Sequence, residues 1–101
     1  MLTHTMASDA NYTLATTGSE PFEWQYGTIR ITDTSSPLKL TAGRDIIFPA
    51  FAVTFVFINA TAQILTVKKS GGTGIAVAAG KWAYLAYTTA DADIIRLTPD
   101  A

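Results

Sequence analysis

Cysteine is absent from this 101-residue chain, and histidine occurs once, as His4. No disulfide framework and no thiolate metal site can be built from it. Ser/His/Asp catalysis and histidine-rich metal centres have a single imidazole to draw on. Charge is scarce as well: charged residues make up 15% of the chain, against roughly 25% in an average soluble domain. The net charge is −1 and no basic run occurs, so the electrostatic footprint of nucleic-acid binding is missing, and Lys68-Lys69 reads as a solvated hairpin end. No apolar run reaches the ~18 residues of a membrane-crossing helix. The opening stretch, MLTHTMASDANYT, lacks the basic and apolar regions of a secretory signal. Without one, the sequons at Asn11-Tyr12-Thr13 and Asn59-Ala60-Thr61 read as chance in a Thr-rich chain.

What is present is apolar and β-forming. Hydrophobic residues are 49% of the chain, and the mean hydropathy is positive. The length suits one domain with one core. The apolar surplus points to a subunit interface, although a sandwich covered on its inner faces can also be apolar.

Residues 63–88 read as three short strands joined by turns at Ser70-Gly71-Gly72-Thr73-Gly74 and Ala79-Gly80. Period-two alternation broken by glycine predicts an antiparallel meander there. Upstream, residues 1–19 are polar and weakly patterned, and predict a flexible N-terminal arm, or one that orders against a neighbour. Tyr12, Leu14 and Thr16 alternate within it, consistent with a short strand. Residues 20–101 then form the domain. Phe22, Trp24 and Tyr26 alternate before Gly27, and Ile29 and Ile31 mark a half-buried strand. Residues 51–58 are the most apolar run and predict a strand covered on both faces, with Val53, Phe55 and Phe57 on one side and Val56 and Ile58 on the other. Trp82 and Tyr84 share a face, and Ile94, Ile95 and Leu97 mark a last strand. About eight short strands with turn signals every ~8–12 residues predict an all-β fold, an antiparallel β-sandwich of jelly-roll-like form. No stretch carries a helical stripe.

Several chemical motifs fail on inspection. The glycines near 71–74 and Gly80-Lys81 invite a phosphate loop. However, Ile75 occupies the place of its first glycine and Trp82 that of its metal-binding hydroxyl. Positive-φ turn positions explain these glycines better. Asp91 and Asp93 read as turn aspartates rather than cation ligands. Glu20, Glu23, Asp45 and Asp91 show no spacing that selects a catalytic pair. We therefore expect no enzyme, no cofactor and no metal.

Asn59-Ala60-Thr61, Leu65-Thr66-Val67-Lys68, Gly72-Thr73-Gly74-Ile75, Val77 and Ala79-Gly80-Lys81 together resemble a small β module of structural proteins of tailed bacteriophages. That module occurs in tail-fibre segments and capsid-associated proteins. The resemblance spans roughly residues 40–99. It departs at Thr89-Ala90-Asp91-Ala92-Asp93, where the module usually has an Asp-Gly turn. The resemblance implies a virion protein, and the short length suits a decoration (cement) protein on the outer capsid surface. Such a protein would pair with itself, plausibly as a homotrimer, and with the major capsid protein. A receptor- or glycan-binding knob of a fibre is the alternative. Phe22, Trp24, Tyr26, Phe55, Phe57, Trp82 and Tyr84 are the residues expected to divide between core and subunit contacts.

Overall fold

A computed structural model describes residues 2–6, 9–14, 27–33, 40–48, 53–69, 71–87 and 94–98. Among them the chain is all-β without a helix, and nine strands form two mixed sheets. The strands are β1 (Leu2–Thr5), β2 (Tyr12–Thr13), β3 (Thr28–Thr32), β4 (Arg44–Phe48), β5 (Val53–Ala60), β6 (Leu65–Lys69), β7 (Ile75–Val77), β8 (Trp82–Tyr87) and β9 (Ile94–Arg96). One sheet runs β1-β3-β5-β8-β9 and the other β2-β4-β6-β7.

This order makes the chain wind between the sheets. From β1 to β6 each strand belongs to the sheet opposite its predecessor, and each return adds a parallel neighbour. Thus β1 and β5 both pair parallel with β3, while β2 and β6 both pair parallel with β4. Parallel neighbours need a long return connection, and here a strand of the other sheet occupies each one. The later pairs β5–β8, β6–β7 and β8–β9 are antiparallel.

Two expectations are corrected by this topology. Antiparallel pairing throughout is replaced by a mixture, because alternation along a strand reports which face is buried and not which strand lies beside it. The meander across residues 63–88 is also broken. Its three strands form, but only β6 and β7 pair, and β8 crosses to the other sheet beside β5.

The amino-terminal segment differs as well. Leu2–Thr5 and Tyr12–Thr13, placed within a flexible arm on sequence pattern, supply an edge strand to each sheet. Met6 and Leu14 beside them are only 3% and 1% exposed. Two short apolar patches suffice because each needs to cover only the end of a core that the longer strands have built. His4 of β1 stacks on Tyr12 of β2, with ring centroids 3.8 Å apart and planes at 18°, and so ties the two sheet edges together.

Inward side chains of both sheets form one hydrophobic cluster. Leu2, Ile29, Phe57 and Ala83 lie side by side across the five-stranded sheet, and Tyr12, Ile46, Val67 and Ile75 across the four-stranded one. Phe48 and Phe55 stack between the sheets at 4.3 Å. At the opposite edge from His4, Arg96 of β9 donates from Nη2 to the Ala76 carbonyl of β7.

Candidate functional site

Asn59 shows how the recurrent turn residues serve the fold. It ends β5 on the buried side of the sheet and is 0% exposed. Its Nδ2 donates to the carbonyls of Gln63 (2.7 Å), Val77 (3.0 Å) and Ala78 (3.3 Å). Its Oδ1 accepts from the Thr61 N–H (3.0 Å) and the Thr61 hydroxyl (2.7 Å). One amide therefore closes the turn after β5 and holds the end of β7 in the other sheet, with both ends of its dipole satisfied. A buried, fully engaged Nδ2 is also no acceptor for a glycan in the folded chain.

The glycines of the same motif act through backbone conformation. Gly74 has φ of 79°, and a Cβ there would stand 2.6 Å from the Val67 carbonyl oxygen. Gly80 has φ of 73° in a turn closed by the Lys81 N–H donating to the Ala78 carbonyl (3.1 Å). These geometries belong to turns and carry no phosphate cradle.

The outward faces hold the remaining candidates. Phe55 and Phe57 are fully buried in the core, whereas Trp82 and Tyr84 are 43% and 40% exposed on the outer face of the five-stranded sheet. Phe22, Trp24 and Tyr26 lie outside the described residues. Trp82 stands opposite Ile58, which stands opposite Arg30 and then Thr3. Tyr84 stands opposite Val56 and then Thr28, in a parallel row about 7 Å further along the strands. Leu97, 50% exposed, follows β9 and donates its N–H to the Tyr84 carbonyl. The Thr98 hydroxyl accepts the Tyr84 N–H at 2.9 Å.

Arg30 and Leu97 were missing from the sequence-derived candidates. The signal for Arg30 was its place between Ile29 and Ile31, which turns it outward once those two turn inward. Leu97 offered none, because the strand it extends ends at Arg96.

The outer face of the four-stranded sheet carries paired charges beside Ile47, with exposed Ile64 just ahead of β6. Lys68 Nζ and Asp45 Oδ2 form an ion pair at 3.1 Å, and Asn11 Oδ1 accepts the Asp45 N–H at 2.9 Å. At its rim Asp9 accepts from Thr41 and from the Arg44 guanidinium, whose Nη2 lies 2.8 Å away. The Thr41 hydroxyl first, and Arg44 second, hold the Asp9 carboxyl below its ordinary range.

Among the described residues no three His, Cys, Asp or Glu gather in a way that would hold a metal ion. No cavity is present there. The outer face of the five-stranded sheet combines exposed Trp82, Tyr84 and Leu97 with outward threonines and Arg30. Compared with models of protein families, with characterised proteins and with solved structures, the chain matches none.

Proposed function

We propose that this chain is a structural protein of a bacteriophage virion, a capsid decoration (cement) protein that stabilises the outer shell by bridging subunits of the major capsid protein. In this reading the two sheets are the layers of a β-sandwich, and copies associate with one another, plausibly as trimers. The observation that carries it is the outer face of the five-stranded sheet, with exposed Trp82, Tyr84 and Leu97 beside Val56 and Ile58. The likeness of the turn residues to phage structural modules supplies the setting. Asn59, Gly74 and Gly80 of that likeness hold positions in turns that few other residues would fill.

The mechanism is energetic. Burying about 400 Å² of apolar surface at ~25 cal/mol per Å² gives a gross gain of about 10 kcal/mol before ordering costs. Repeated over a shell, contacts of that size resist outward pressure. A receptor- or glycan-binding knob is the second reading, favoured by the two aromatic rings on one open face, which suit stacking on sugars.

Quantitative mass spectrometry of purified particles tests both. A fixed ratio to the major shell protein, near one or another large fraction, is expected for a decoration protein. A few copies per particle would favour the knob, and absence from particles would sink both.

A further inference from the structure

The described strand positions of the aromatic face include one charge. At the outward positions of its five strands, Arg30 is the sole charged residue, half-buried in the row formed with Ile58 and Trp82. Among the described residues its guanidinium meets no ion-pair or hydrogen-bond partner, unlike Arg44, which meets Asp9, and Arg96, which meets the Ala76 carbonyl. Arg30 has Ile58 on one side and Thr3, Thr28 and Thr32 around it, and covering this half-buried cation removes hydration that an anion can offset. Trp, Tyr and Arg are also the residues that dominate binding energy at protein interfaces.

Two copies meeting through this face about a two-fold axis would bring two Arg30 side chains into one apolar contact. Neither copy supplies a carboxylate at the described outward positions of the sheet. A two-fold contact of this kind leaves both cations without an anion at those positions. Among the described residues the face has no cavity, which fits a protein surface better than a small sugar in a cleft.

We infer that the outer face of the five-stranded sheet is the docking site for a different protein, whose complementary patch is apolar and presents a carboxylate to Arg30. The inference rests on the decoration reading and names the chemistry of its capsid partner. Trp82, Tyr84 and Leu97 provide apolar contact, and Arg30 fixes register by pairing with the partner's Asp or Glu.

The test uses particles prepared without this chain as the probe, with binding read by co-sedimentation. Arg30→Glu should weaken binding about tenfold or more, while Arg30→Lys retains part of it. Trp82→Ser and Tyr84→Ser should weaken it too, and all four variants should melt as the wild type and keep its oligomeric state. Wild-type protein that fails to bind the particles overturns the decoration reading itself. Wild-type binding with Arg30→Glu unaffected overturns this inference alone. A change of oligomeric state in Arg30→Glu or Trp82→Ser makes the face a self-contact, and Arg30-dependent retention on an acidic polysaccharide makes it a sugar site. Either result overturns the protein-partner assignment.

Discussion

The two outward sheet faces share a plan and differ in how their charges are met. Each belongs to a sheet whose inner side is aliphatic and aromatic, and each presents alternate residues of its strands. The four-stranded sheet presents Asp45, Thr66 and Lys68, with the two charges paired at 3.1 Å. The five-stranded sheet presents Val56, Ile58, Trp82 and Tyr84 together with Thr3, Thr28, Thr32 and an Arg30 that meets no anion among the described residues. A face whose charges neutralise each other is complete in water. A face with exposed aromatic rings and one unmatched cation is, on the reading proposed above, completed by a partner. The contrast also separates stability from association, since inward and outward residues alternate along one strand.

The sharpest test of that separation compares neighbours on β5. Phe57→Ala should cost about 3–5 kcal/mol in urea unfolding, because it opens a cavity between the sheets. Ile58→Thr, one residue away on the outer face, should change stability by only about 0.5 kcal/mol. Comparable losses for the two would erase the distinction between core and contact face.

Asn59→Ala should rank next, at about 1–3 kcal/mol, since three carbonyls lose a shared donor in a buried place. Asn59→Asp should be at least as damaging, as it sets a carboxylate against those carbonyls. Chemical denaturation of both checks this, and a near-neutral Asn59→Ala would deny it any role in joining the sheets.

On the outer face of the four-stranded sheet, Asp45→Asn or Lys68→Gln should lower stability by no more than about 1 kcal/mol, an effect that added salt reduces. Neither should alter particle binding, and a loss of binding equal to that of Trp82→Ser would end the contrast between faces. The smallest effect concerns acid. Asp9 has a carboxyl pKa lowered from 3.8 in the folded chain. Its contribution is therefore complete above the unfolded value and is lost as pH falls through the lower folded one. Melting temperatures followed below about pH 4 should decline less steeply for Asp9→Asn than for the wild type.

Much of the local structure was legible in the residues. Ile29, Ile31, Phe55 and Phe57 point inward as their alternation requires, and Gly71, Gly74 and Gly80 take the positive φ that their turns demand. Trp82 and Tyr84 share an open face because they stand two positions apart on a strand. Less legible was the amino-terminal segment. Leu2–Thr5 is too short and too polar to declare itself, the strand at Tyr12–Thr13 showed only as a brief alternation, and both take their order from ready-made neighbours β3 and β4. Arg30 escaped notice for a related reason, since its importance lies in what stands around it and not in its own motif.

The sequence by itself determined an all-β chain, the positions of most strands, the inward parity of the core residues and the glycine turns. These follow from rules that act within a few residues: side-chain alternation, β-branching and the steric freedom of glycine. The tertiary structure decided which strand lies beside which. It set the parallel winding of β1 to β6 and sent β8 to the sheet opposite β7. It also placed Ile58, Trp82 and Arg30 in a single row. Those outcomes depend on contacts between residues far apart in the chain, where many pairings satisfy the same local pattern and only the shared core selects among them.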